Sequence, residues 1–167
     1  MKLFGRAPPH PKPGTRPPPA IREADSRDLD GICACLNELV ADRVPRRGKA
    51  RYLQAIRDEQ REMLIDPKAA WFVAARGEDV IGCARVDIHQ GHPLLAYLDR
   101  HDYGYVFGLF VREEERSSGT GERLLARCEQ WIKANGARYM FLHSTPEAIR
   151  FYEKMNLDAC LEFGKKL

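Results

Sequence analysis

Leu109-Phe110-Val111-Arg112-Glu113-Glu114-Glu115-Arg116-Ser117-Ser118-Gly119-Thr120-Gly121-Glu122-Arg123-Leu124-Leu125 changes periodicity along its length. An apolar run ends at Val111, a polar turn follows, and two glycines open a helical pattern. Leu124, Leu125, Cys128, Trp131 and Ile132 fall at i, i+1, i+4, i+7 and i+8, the apolar face of one helix. Gly136 is well placed to end it in the left-handed conformation. Glycines let backbone approach a ligand closely and adopt positive φ. The first N–H groups of a helix have no internal acceptor, and its dipole favours anions there. A strand, a glycine loop and a helix in this order form a main-chain cradle for a phosphate or pyrophosphate. A lone Gly-x-Gly serves many strand-to-helix turns; here its placement and Arg116, three residues ahead, add weight.

Working outward, Tyr103 to Val111 reads as the strand entering the loop. Before it, Ala70–Ala75 and Val80–His89 flank Arg76-Gly77-Glu78-Asp79, a hairpin turn. Further back lie a short strand at Ala20–Ala24, a helix carrying Leu29, Ile32, Leu36, Leu39 and Val40, and a second helix over Lys49–Ile65. Asp25 or Ser26 can cap the first of these helices. Downstream, Tyr139–Ser144 reads as a strand, Pro146–Met155 as a helix and Leu157–Phe163 as a last strand. The predicted order is β-α-α-β-β-β-α-β-α-β.

Composition narrows the class. Hydrophobic residues make up 44% and charged residues 31% of 167, as in a globular protein. Residues 1–19 hold seven prolines and read as a flexible tail; residues 20–167 read as one domain. The first 22 residues carry five bases and no acid, whereas the remainder carries 22 bases and 24 acids. The net charge of +3 therefore comes from the tail, and the body lacks a basic nucleic-acid footprint. No apolar run reaches the ~18 residues of a membrane span, and no secretory leader is apparent. A cytoplasmic protein is expected. The five cysteines, Cys33, Cys35, Cys83, Cys128 and Cys160, have no metal spacing and read as core thiols.

Val111 followed by Arg116-Ser117-Ser118-Gly119-Thr120-Gly121 resembles the acyl-CoA-binding motif of the GNAT N-acetyltransferase superfamily, a strand ending in Val and then Arg or Gln-x-x-Gly-x-Gly or Ala. Thr145-Pro146-Glu147-Ala148-Ile149-Arg150-Phe151-Tyr152-Glu153-Lys154-Met155-Asn156-Leu157 is similar to the family's Asn-x-x-Ala-x-x-Phe-Tyr-x-x-x-Gly-Phe segment. The resemblance spans residues 20–163. It implies an α/β (α+β) fold: a central mixed, mostly antiparallel sheet of six to seven strands flanked by about four helices. It implies acetyl-CoA as co-substrate and no metal. The residues it assigns to acetyl-CoA are Leu109, Phe110, Val111, Arg116, Ser117, Ser118, Gly119, Thr120, Gly121, Glu122, Thr145 and Phe151. The chain departs from the pattern in several places. Glu113 stands for a frequent Pro and opens an acidic run beside an anionic ligand, which Arg112, Arg116 and Arg123 are candidates to offset. Ser117 and Ser118 stand where basic residues are common. Thr145 replaces Asn but can cap the following helix, and Asn156 replaces Gly but tolerates left-handed geometry.

Acetyl transfer to an amine needs a neutral amine, a polarised carbonyl and a proton for the departing thiolate. The resemblance implies Tyr152 as that proton donor, although its helical stripe with Ala148 and Met155 also fits core packing. No Glu occupies Tyr105–Gly108, where the family often holds its base. Alternation places Arg85, Asp87 and His89 on one strand face, so Asp87 or His89 is a candidate base, with His101, Asp102 and His143 as rivals. The expected function is acetylation of a primary amine on a small molecule, with no nucleic-acid or membrane partner and a homodimer possible. Acetylation of a protein N-terminus or lysine, and noncatalytic acyl-CoA binding, are the alternatives.

Overall fold

The computed structural model describes residues 17–41, 49–91 and 102–159. Five strands form one sheet in sequence order: β1 (Ala20–Glu23), β2 (Ala69–Arg76), β3 (Asp79–His89), β4 (Tyr103–Val111) and β5 (Tyr139–Leu142). All neighbours are antiparallel except β4 and β5, which run parallel. Parallel neighbours need a crossover, supplied by α3 (Thr120–Ala134). The other helices are α1 (Leu29–Leu39), α2 (Lys49–Met63) and α4 (Ile149–Lys154).

The sheet is covered on both faces. Phe72, Ala84, Val86 and Val106 pack with Leu124, Leu125, Cys128 and Ile132 of α3, and Phe151 and Tyr152 of α4 join the margin of this cluster. Trp71, Val73, Cys83 and Phe110 face the other way, against Ile32, Cys35 and Leu36 of α1. Burial on both faces explains why β2 is a continuous apolar run and not an alternating one. Each large side chain so buried contributes about 2 kcal/mol relative to exposure.

The turns follow their residues. Arg76 pairs with Asp79 across a two-residue hairpin whose Gly77 has φ +63°. Asp25 opens the first helical segment with a capping box completed by Asp28. Gly136 (φ +81°) ends α3 with bonds from Ala137 N to Ile132 O and from Gly136 N to Lys133 O. Asn156 (φ +60°) ends α4 with the same pair of bonds, Leu157 N to Tyr152 O and Asn156 N to Glu153 O.

Some expectations differ from what is observed. Five strands, not six or seven, occur among the described residues. Of the last predicted strand, 157–159 pair with nothing in the sheet and the remainder lies outside the described residues. The helix predicted over Pro146–Met155 is a 3-10 turn (Pro146–Ala148) leading into the short α4. Thr145 starts that turn through its carbonyl, which accepts from Ala148 N at 3.0 Å; its hydroxyl makes no capping bond. Cys35, Cys83 and Cys128 are buried free thiols and Cys33 is half-buried, while Cys160 lies outside the described residues. Pro17 and Pro19 are not detached from the fold, since their carbonyls accept from Arg76 and Arg123.

Candidate active site

Pairing between β4 and β5 runs from Tyr103↔Tyr139 to Val106↔Leu142 and stops there. β4 continues to Val111, so residues 107–111 have no strand partner on that side among the described residues. A strand edge of this kind presents unpaired N–H and C=O groups. On its other side β4 is bulged: Arg85 faces Phe107 and Cys83 faces Phe110, so Gly108 and Leu109 together oppose Ala84. Gly108 carries the bulge at φ +55°, and a Cβ there would stand 3.0 Å from Leu36 Cδ2. The Cys83 thiol donates to the Gly108 carbonyl at 3.6 Å.

Beyond Val111 the chain folds back on itself. Arg116 Nε donates to the Val111 carbonyl at 2.8 Å, with its guanidinium 5.6 Å from the Phe110 ring centroid. The Ser118 hydroxyl donates to Glu115 O at 2.7 Å and lies 2.8 Å from the hydroxyl of buried Thr120. Ser117 (φ +59°) and Gly119 (φ +79°) are both left-handed. Arg123 N bonds Gly119 O at 3.1 Å, the first bond of α3. The N–H groups from Gly119 to Glu122 thus have no acceptor within the helix. A Cβ on Gly121 would make only ordinary contacts, 3.5 Å to Phe151 and 3.9 Å to Val111. Nothing among the described residues demands glycine there, whereas a ligand lying on the main chain would.

The acidic run is arranged around this cradle. Glu115 is buried and neutralised by Arg76, at 3.1 and 2.9 Å. Arg112 pairs with Asp79 and Glu38, Arg123 bonds Pro19 O, and Lys154 pairs with Glu122. The three arginines expected to offset the run are therefore engaged elsewhere, and Arg76 compensates its buried member.

Phe151 lies beside Gly121, and Tyr152 meets Phe151 edge-on with centroids 5.1 Å apart. Burial pushes the Tyr152 hydroxyl above its ordinary value, holding it protonated. Tyr152 lines a cavity of about 920 Å³ along β5, shared with Tyr105 and His143. Tyr105 and His143 are hydrogen-bonded to each other, hydroxyl to Nδ1, across β4 and β5. The remaining base candidates do not line this cavity. Asp87 is held by Arg85 at 2.7 and 2.5 Å, and His89 stacks on Tyr103 at 5.2 Å. Asp102 accepts from Gly91 N at 3.2 Å, and His101 lies outside the described residues. Tyr105 was not among the sequence candidates, although the alternation Tyr103, Tyr105, Phe107 on one strand face was available to find it.

No cluster of three or more His, Cys, Asp or Glu able to hold a metal occurs among the described residues, and no helix there is long and apolar enough to cross a membrane. Residues 34–157 match the model of the acetyltransferase (GNAT) family. No curated protein matches the chain. Among solved structures, a GCN5-related N-acetyltransferase from Ralstonia eutropha JMP134 aligns at TM-score 0.76 and 21% identity, over 89% of this chain and 97% of that one. A predicted acetyltransferase with acetyl-CoA from Clostridium acetobutylicum aligns at TM-score 0.76 and 15% identity, over 89% and 95%. An aminoglycoside N-acetyltransferase in complex with CoA aligns at TM-score 0.71 and 20% identity, over 88% and 93%. At these identities the likeness is one of fold.

Proposed function

The chain belongs to the GNAT acetyltransferase family, and from that premise we propose that it transfers acetyl from acetyl-CoA to a primary amine of a small molecule, with Tyr152 as general acid. The observation that carries this reading is the continuity of the unpaired β4 edge with the cradle at Gly119–Glu122. An extended amide-bearing arm fits the first and a pyrophosphate fits the second. The space beside Gly121 supports the fit, since only ordinary contacts with Phe151 and Val111 would limit it. Leu109, Phe110 and Val111 would hold the arm, and Arg116 to Glu122 the pyrophosphate, with Phe151 against Gly121. Thr145 has no contact that supports a part in binding.

Acetyl-CoA supplies an activated thioester carbonyl. The chain's own contribution is to orient it, to offer main-chain N–H groups of the bulge toward its oxygen, and to hold a proton at Tyr152 Oη. A half-buried phenol whose ordinary value is raised by burial suits that last task. A cavity near 920 Å³ is of small-molecule size, which supports a compact acceptor over a protein tail. The test is thermal shift with acetyl-CoA, then release of free thiol over a panel of primary amines. Stabilisation by acetyl-CoA and amine-dependent thiol release are expected. Failure of acetyl-CoA to bind would exclude the reading.

A further inference from the structure

Beside the α1 cluster, the same sheet face carries a group of aromatic side chains at its β4–β5 end. Tyr103, Tyr105 and Phe107 of β4 stand beside Phe141 of β5 and His143, with ring centroids 5.4 Å apart for Tyr103–Phe141, 4.5 Å for Tyr105–Phe107 and 5.5 Å for Tyr105–His143. Phe107 is 41% exposed, unusual for a phenylalanine in a strand. His143 directly follows the last β4–β5 pair, so the Tyr105–His143 bond closes the point at which the strands part. Tyr152 reaches the same cavity from the α3 side of the sheet. A proton acceptor and a proton donor therefore flank the cleft from opposite faces.

We infer that this aromatic face is the acceptor subsite, and that it takes an arylalkylamine without an acidic group, whose ammonium proton leaves through the Tyr105 hydroxyl to His143. The inference rests on the acetyltransferase reading above. Aromatic faces attract a cation and stack on a flat ring, and an amine enters the site as ammonium. Arg85 already lies in this relation to Phe107, 5.2 Å from its centroid. Arg85 is also the one guanidinium that β3 and β4 present to this face, and Asp87 and Glu59 hold it. With its charge compensated by these two carboxylates, Arg85 is not offered to a carboxylate or phosphate on the acceptor.

The protons balance as follows. The ammonium gives one proton to Tyr105 Oη as the phenol's own proton passes to His143 Nδ1 and then to solvent. The neutral nitrogen attacks the thioester carbon, the C–N bond forms and the C–S bond breaks. Sulfur takes the Tyr152 proton, and the second proton shed by nitrogen restores Tyr152.

The test is steady-state thiol release with 2-phenylethylamine, 2-cyclohexylethylamine and phenylalanine as acceptors, alongside calorimetry with acetyl-CoA. The wild type should acetylate 2-phenylethylamine, with kcat/KM several-fold lower for the cyclohexyl amine and at least about tenfold lower for phenylalanine. Tyr105→Phe and His143→Gln should lower kcat about 10²-fold with KM and acetyl-CoA affinity little changed. Phe107→Ala should instead raise KM. Acetyl-CoA binding without acetylation of 2-phenylethylamine would overturn the subsite, as would equal use of phenylalanine. Full kcat in both Tyr105→Phe and His143→Gln would overturn the proton path. Absence of acetyl-CoA binding would instead remove the acetyltransferase reading itself, and this subsite with it.

Discussion

Arg116 Nε donates to the main-chain carbonyl of Val111 at 2.8 Å, fastening the loop to the last residue of β4. The guanidinium is thereby a brace as well as a charge, lying over Phe110 while the chain turns toward Gly119. Arg116→Ala should lower acetyl-CoA affinity by about tenfold, near 1.4 kcal/mol. Because Arg116 is exposed, the melting temperature should hardly move. Calorimetry and a thermal melt separate the two effects; a stability loss with unchanged affinity would make Arg116 a purely structural brace.

Tyr152→Phe keeps the ring against Phe151 and removes the proton. Retained stability and acetyl-CoA affinity are expected, with kcat lower by about 10²-fold. The deficit should shrink for acyl donors with a more acidic thiol, which need less protonation on leaving. Wild-type turnover would assign the hydroxyl no part in the reaction.

Asp28 is buried and accepts from Arg22 at 2.6 and 2.8 Å and from Asp25 N at 2.9 Å. The hydrogen-bonded Arg22 guanidinium holds its carboxyl below the usual carboxylate range. A carboxyl depressed by folding stabilises the protein above its unfolded value near ~4 and loses that contribution as pH falls through the lower folded value. Asp28→Asn should therefore cost about 1–2 kcal/mol at neutral pH, with the difference from wild type closing in acid below about pH 4. Thermal melts across that range check it; a deficit independent of pH would contradict it.

Much of this was legible because local chemistry and burial agreed. β4 was read with its observed bounds, and the left-handed roles of Gly136 and Asn156 followed from their residue types. The Gly108 bulge was not legible, since it depends on the β3 register and on Leu36 arriving from α1. Charge partners were misassigned for the same reason: Arg76, 39 residues from Glu115 in sequence, neutralises it, while the nearer arginines turn elsewhere. Alternation put Arg85, Asp87 and His89 on one strand face, but only the structure reveals that Arg85 holds Asp87 and that Tyr105 meets His143.

The central claim is that acetyl-CoA lies on the main chain at Gly119–Gly121, and calorimetric titration of acetyl-CoA into wild type and Gly121→Asp tests it most directly. Space beside Phe151 admits a Cβ at residue 121, so the variant should fold, as circular dichroism will verify. Its carboxylate would stand where the pyrophosphate is expected, and affinity should fall by at least about tenfold. Equal affinity in a folded variant would contradict the account.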